Sequence, residues 1–433
     1  MYLFILVLFF FSGFAGLLYE VVWTRIFGLI FGNTTLAIST VLSAYFLGLA
    51  LGGWWLGRIA DRHKDPLRLF AWLELGVGLS ALLFLLLQGP LELLFVQLHP
   101  ALVDRPLLYY IFKFVTAFIV LLPATFFMGG TLPVISKVAL RHEQRSGRTI
   151  GELYGINTLG AVAGCLLTGF VLIKTLGITL TLTGAIVLDG AIALAAWFGA
   201  RLFRTGAVLQ PPAAWSAAGA AAKTEASRPV AARPQLAPRS DAPAGSGALL
   251  ILIVMAISGF IALSYEVLWS RVLVFVLTAS TYTFAIILAS FLSGLALGGF
   301  AGGRWADRSQ SPRRLLGWIE AAVGLSALLA LLVMVRLPEL HNQIFVPGPA
   351  TTWWQWNAVR FLEAYLIMFA GTFFLGASFP VAVKALGVDG ESAGGRIGGL
   401  YFANTIGGVL GSFVTGFFLI SWMGTAAAWM VMI

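Results

Sequence analysis

The chain has 433 residues, of which 59% are hydrophobic and only 10% charged, against about 25% charged in an ordinary soluble domain. That balance excludes a soluble globular protein, and apolar runs of twenty residues or more exclude a transmembrane β-barrel, whose short segments alternate in period two. The net charge of +9 is read as Lys and Arg that hold a membrane topology, so the expected partner is a lipid bilayer and not a nucleic acid.

In chain order, the first apolar run predicts a helix from about Leu3 to Phe31. It has no basic start and no Ala-x-Ala site, so it is a membrane helix and not a cleaved signal. A second helix runs from about Leu36 to Gly57, with Gly48, Gly52, Gly53 and Gly57 along it. Small residues at this spacing let two backbones approach closely. The loop Arg58 to Arg68 leads to a third helix ending near Leu87, and a polar connection from Gln88 to Pro106 follows. The fourth helix, about Leu107 to Val138, should bend or break at Pro123 and Pro133. The fifth spans about Ile150 to Ile173 and the sixth about Ile178 to Phe198. Residues 201–248 are rich in Ala, Pro, Ser and Arg and read as a disordered linker.

Then the sequence repeats. Tyr19-Glu20-Val21-Val22-Trp23-Thr24-Arg25 returns as Tyr265-Glu266-Val267-Leu268-Trp269-Ser270-Arg271, 246 residues on. Gly57 to Arg62 returns as Gly303 to Arg308, Glu74 as Glu320, and Asn157-Thr158 as Asn404-Thr405. Residues 1–200 and 249–433 are therefore two six-helix units. Six is even, so both enter the membrane the same way round, as a parallel repeat about an axis along the membrane normal. Counterparts put Ile433 at the level of Ile186, so the expectation is an all-α polytopic fold of about twelve helices, the last one cut short, from a gene that continues. Twenty of the 27 Lys and Arg residues fall on the side of the linker. Positive loops stay inside, which predicts a cytoplasmic N-terminus and linker.

Glu20 and Glu266 stand about 16 Å from the outer ends of their helices. A charge at that depth costs roughly 2.5–3.5 kcal/mol on insertion scales. Several readings stay open: a paired anionic site for a cation, a proton site, or neutralisation of Arg25 and Arg271 across the halves. Arg25 is five residues from Glu20, about 140° round the helix, so it does not pair readily with its own glutamate. Thr24 and Ser270, one turn on, could orient the carboxylates. Tyr19, Trp23, Tyr265 and Trp269 are candidates for cation–π contact with an ammonium group, with helix packing as the alternative. Asn157 and Asn404 are candidates for interhelical hydrogen bonds. Lys113 and Arg360, at outer helix ends, weigh against a strongly anionic cavity. The four histidines have no metal-ligand spacing, so no metal is expected.

The two Gly-x-x-x-Asp-Arg loops, at equivalent places in a six-plus-six repeat, resemble the loop joining helices 2 and 3 of the major facilitator superfamily. Ser-Gly-Phe-x-x-Leu-x-Tyr-Glu-Val-x-Trp-x-Arg, followed by Gly-Leu-Ala-Leu-Gly-Gly, resembles bacterial membrane proteins of the fused major-facilitator and spermidine-synthase family, over essentially the whole chain. The resemblance implies an inner-membrane location, a cavity lined by helices 1 and 7, and gating loops at Asp61-Arg62 and Asp307-Arg308. It also implies polyamine chemistry for a complete protein whose cytosolic aminopropyltransferase domain follows the helices. That domain's glycine-rich cofactor loop has no match here, so no cofactor is expected in this chain. Three functions follow: transport of a polyamine or another cationic or polar solute, a non-transporting anchor for such an enzyme domain, or a subunit of a membrane complex. The linker reading makes a test. Deleting residues 210–243 should leave membrane insertion and the melting temperature nearly unchanged, because the segment has little apolar surface to bury; a large fall in melting temperature would show that it docks on the bundle.

Overall fold

The computed structural model describes residues 1–32, 35–141, 145–204, 246–277, 281–341, 352–388 and 391–432. The expected linker lies almost wholly outside them. Among the described residues every element is a helix: α1 (Tyr2–Phe31), α2 (Thr35–Arg62), α3 (Pro66–Leu102), α4 (Pro106–Leu140), α5 (Ser146–Leu167), α6 (Ile173–Arg204), α7 (Ser246–Leu277), α8 (Thr281–Arg308), α9 (Pro312–Leu340), α10 (Trp353–Ala385), α11 (Ala393–Val414) and α12 (Ile420–Met432). In hydrocarbon each backbone N–H and C=O needs a partner within its own segment, which is why an apolar chain of this kind is helical throughout. One π-turn, Thr168–Leu172, joins α5 to α6, and another, Thr415–Leu419, joins α11 to α12.

One sequence expectation is corrected. The third helix does not stop near Leu87; α3 runs to Leu102 with Pro90 and Pro100 inside it. The fourth helix has its expected span, and α4 passes through both Pro123 and Pro133 without a break. A proline removes one backbone bond and crowds the turn before it, but neighbouring helices and Ser/Thr hydroxyls make this tolerable in a membrane helix. The chain turns instead at glycine. Gly177, at φ 77° and ψ 178°, interrupts α6, and Gly424, at φ 77° and ψ 170°, interrupts α12 in the same way. Positive φ of this kind is open to glycine at no steric cost.

The halves share one packing scheme. In the first, α1 lies on α5, α2 on α4, and α3 on both α4 and α6; in the second, α7 lies on α11, α8 on α10, and α9 on α10. Between halves, α2 packs along α11 and α5 along α8. A Cβ on Gly52 would collide with the Phe126 carbonyl of α4, and one on Gly298 with the Phe373 carbonyl of α10. A Cβ on Gly57 would strike Gly394, and one on Gly303 would strike Gly147, so the halves touch backbone to backbone near α2 and α8. Gly52→Val should therefore lower stability by about 1–3 kcal/mol through overpacking. Gly190→Val, whose Cβ meets no atom within 4 Å, is the control and should not; equal melting temperatures for the two variants would contradict the packing argument.

Candidate functional site

A cavity of about 240 Å³ lies between the halves. It is built from α1, α2, α4 and α5 on one side and α7, α8, α10 and α11 on the other. The repeat pairs its walls: Ser12 with Ser258, Tyr154 with Tyr401, Asn157 with Asn404, Thr158 with Thr405. Glu20 and Glu266 both line it and are 4% and 6% exposed. Lysine, arginine and histidine are absent from its described lining. Along α1 the cavity extends from Phe9 to Glu20, about 16 Å of helix.

Among the described residues no ion pair joins Glu20 or Glu266 to Arg25 or Arg271. Arg25 is exposed. The Thr24 hydroxyl is buried without a hydrogen-bond partner, so it does not orient Glu20.

Tyr19, Trp23, Tyr265 and Trp269 are absent from the described cavity wall. Tyr19 stacks on Trp23 at 5.0 Å inside the first half, and Tyr265 meets Trp269 at 5.3 Å and Trp429 at 5.8 Å inside the second. One residue along a helix is 100° of rotation, which carries Tyr19 away from the face of Glu20. The Tyr19 hydroxyl donates to Asp189 Oδ2 of α6 at 2.7 Å, and the Tyr265 hydroxyl donates to the Met432 carbonyl at 2.8 Å. The aromatic groups facing the cavity are others, chiefly Tyr45, Tyr154 and Tyr401. Tyr154 and Tyr401 stand one turn before Asn157 and Asn404, and that register in the repeat was the available signal.

Behind the wall lies a second polar layer that sequence reading gave no role. The Ser12 hydroxyl, on the cavity, donates to Glu74 Oε1 of α3 at 2.6 Å. Ser258, also on the cavity, and Glu320 of α9 are the repeat counterparts of this pair. Glu74 and Asp189 are 2% and 1% exposed. Asn157 Nδ2 donates to the Phe9 carbonyl at 2.9 Å and ties α5 to α1. Lys113 is elsewhere: its ammonium donates to the Phe31 carbonyl at 2.9 Å and lies 4.1 Å from the Tyr109 ring centroid, so it does not offset the cavity carboxylates. Arg360 is likewise not part of the described lining.

At the basic end the cavity is floored by aromatic rings. Tyr154 stacks on Phe379 at 5.6 Å, and Phe379 meets Tyr401 edge-on at 6.4 Å. Below them two aspartates fasten one half to the other. Asp61, ending α2, accepts from the Gly394 and Gly395 amides of α11 at 2.9 and 2.6 Å. Asp307, ending α8, accepts from the Gly147 and Arg148 amides of α5 at 3.2 and 2.8 Å. Each meets a helix N-terminus, where backbone donors and dipole favour an anion. Each also has a lysine from α4 or its counterpart α10: Lys137 at 3.6 Å from Asp61, and Lys384 at 2.7 Å from Asp307. Arg62 and Arg308, beside them, are exposed. At the opposite end the halves meet through the π-turns. Phe170 contacts Tyr282 at 5.3 Å and Trp353 at 5.9 Å, and Phe417 contacts Tyr110 at 5.7 Å.

Asp61→Ala removes two charge-assisted hydrogen bonds that tie α2 to α11 at the basic end, each worth about 1.5–3 kcal/mol. Labelling of a Thr158→Cys thiol from that side, in a Cys165→Ala background, should speed up by at least about tenfold; an unchanged rate would show that the aspartates do not gate the cavity.

No family model matches the sequence, and no curated protein matches it. Solved structures do. A bacterial homologue of the iron transporter ferroportin, in an outward-facing state with soaked iron, is 12% identical with a TM-score of 0.58, covering 100% of this chain and 97% of that one. The human organic anion transporter MFSD10 (TETRAN) is 13% identical with a TM-score of 0.59, covering 100% and 96%. The nucleoside transporter NupG is 13% identical with a TM-score of 0.53, covering 100% and 96%. At such identity the likeness is one of fold. The chain has the all-α, multi-pass fold of major-facilitator-type transporters, in two parallel six-helix halves.

Proposed function

We propose that the protein is a transporter that carries a small cationic solute through the central cavity by alternating access. The observation that carries this reading is the pair Glu20 and Glu266, buried in one cavity whose described lining holds no cationic side chain. Two carboxylates buried together are costly unless a cation or protons balance them. A cavity of 240 Å³ lies below the range of about 300–1,000 Å³ for drug-sized ligands, so the solute is small. Tyr45, Tyr154 and Tyr401 supply hydroxyls and ring faces, and the paired Asn and Thr side chains supply neutral hydrogen bonds. The three structural neighbours are named for iron, organic anions and nucleosides, so the fold does not choose the solute and the choice rests on the glutamates. A polyamine fits two carboxylates facing one space and agrees with the sequence resemblance to the spermidine-synthase fusions. The basic end, carrying the N-terminus and linker, is assigned to the cytoplasmic face of a bacterial inner membrane.

Spermidine is the probe. Glu20→Gln and Glu266→Gln should each weaken its binding about tenfold to a hundredfold, the loss of one charge-assisted contact of about 1.5–3 kcal/mol. Melting should change little, because a neutral amide costs less in lipid than an unpaired carboxylate. Wild-type protein that binds no polyamine at millimolar concentration would remove the cationic reading and put the membrane-anchor role in front.

A further inference from the structure

A second charged pocket lies outside the central cavity, at the basic end, where α2 turns into α3 beside the end of α6. It measures about 410 Å³ and is walled by Arg62, Lys64, Arg68, Trp72 and Trp197. The acid at the turn is already committed. Asp65 accepts from the Arg68 amide at 3.3 Å as the cap of α3 and pairs with the Arg68 guanidinium at 3.2 Å. His63 Nδ1 lies 2.9 Å from the Asp65 carbonyl. Arg62 and Lys64 are exposed, and among the described residues no carboxylate stands within ion-pair distance of either. The pocket therefore carries two positive charges that nothing described in the fold balances.

Its tryptophans set the depth. Trp72 and Trp197 meet edge to face at 5.4 Å, and the Arg68 and Arg201 guanidinium groups lie 5.3 and 5.8 Å from the Trp197 ring. Trp72 is six residues into α3 and Trp197 seven residues from the end of α6, so both rings sit about 9–10 Å inside the helix ends. That is the level of the interfacial aromatic belt. The cations stand farther out, and Trp72 is 55% exposed toward the lipid. An amphiphile with an acyl chain, then a glycerol, then a negative phosphate meets matching groups in that order.

We propose that this pocket binds an anionic phospholipid of the leaflet at the basic end, its phosphate between Arg62 and Lys64 and its upper acyl chain against Trp72. The site rests on the membrane-spanning fold and not on the identity of the transported solute. Arg62 directly follows Asp61, whose carboxylate holds the α11 N-terminus. A lipid on Arg62 and Lys64 steadies the turn that positions this clamp, so it favours the state closed at the basic end. The second half has a counterpart of about 480 Å³ with Trp305, Arg308, Ser309 and Trp318, in which Arg308 and Trp318 stand where Arg62 and Trp72 stand in the first. It offers a single cation and is the internal comparison.

The test is native mass spectrometry of the full chain in neutral detergent, titrated with phosphatidylglycerol or phosphatidylcholine of the same chain length. Phosphatidylglycerol should be retained in preference. The double variant Arg62→Gln, Lys64→Gln should lose about fivefold in affinity per cation removed, while Arg308→Gln should leave this tighter site nearly unchanged. Both side chains are exposed, so the variant should melt with the wild type; Lys64→Glu, a single exposed reversal, is the second variant and should lose at least as much as removal of that one cation. Equal retention of the two lipids, or wild-type affinity in the variants, would overturn the proposal. Full competition by millimolar inorganic phosphate would also overturn it, by assigning the pocket to a soluble anion.

Discussion

Two carboxylates in one enclosed space, with no cationic side chain in the described wall, is the constraint on which this molecule depends. A buried charge keeps its ionised form only with a partner. Lys113 is spent on a helix-end carbonyl and a tyrosine ring. What balances Glu20 and Glu266 must therefore come from outside the wall, as a cation or as protons. The same need recurs one layer deeper. Glu74 is held by a cavity serine, so the inner layer of acid communicates with the cavity through Ser12. A solute that displaces a serine hydroxyl also alters the environment of the carboxylate behind it.

Around that constraint the fold arranges two kinds of contact between its halves. Near α2 and α8 the contact is glycine on glycine backbone, which lets helices slide or rock with few side chains to rearrange. At the basic end it is polar and directional: an aspartate on one half, two amides on the other, and a lysine of its own half beside it. Geometry of this kind has a made state and a broken state. Alternating access needs that property, since interfaces that deform continuously would let the cavity leak at both ends. The pseudo-symmetry doubles the clamp, so losing one aspartate weakens the closed state without abolishing it.

Much of this was legible in the sequence, and the reasons are specific. Length and apolarity give membrane helices because lipid leaves the backbone no other partner. The exact spacing of Glu20 and Glu266 gives a parallel repeat and places both acids at one depth. The helix ends were less legible. The stretch from Gln88 to Pro106 reads as a connection, yet Pro90 and Pro100 sit inside α3, whereas the turn at Gly177 falls in the gap expected between the fifth and sixth helices. The site was half legible. Charge in an apolar run identifies the glutamates, yet rotation about a helix decides which neighbours share their cavity. Tyr19 and Trp23, adjacent in sequence, turn into the core of their own half. Tyr45, Tyr154 and Tyr401 arrive from α2, α5 and α11, and only the packed bundle brings them together.

The π-turns complete the mechanical argument at the other end. Thr-Gly-Phe occurs at 168–170 and again at 415–417, and in both places the helix widens to the π form. A π-turn spends a residue without advancing the helix and is held by weaker geometry than an α-turn, which is why such turns gather at functional sites. Here each glycine lies against the opposite half, Gly169 on Ala285 and Gly416 on Ser39. Phe170 then meets Tyr282 and Trp353 of that half, and Phe417 meets Tyr110. Tightening either turn to α would rotate its phenylalanine out of that contact. The end opposite the aspartate clamps is thus closed by apolar rings on an adjustable stretch of backbone. The basic end is closed by charge-assisted hydrogen bonds on rigid helix ends. Two closures of different chemistry respond to different disturbances, so one end can loosen while the other holds, as the proposed transport would require.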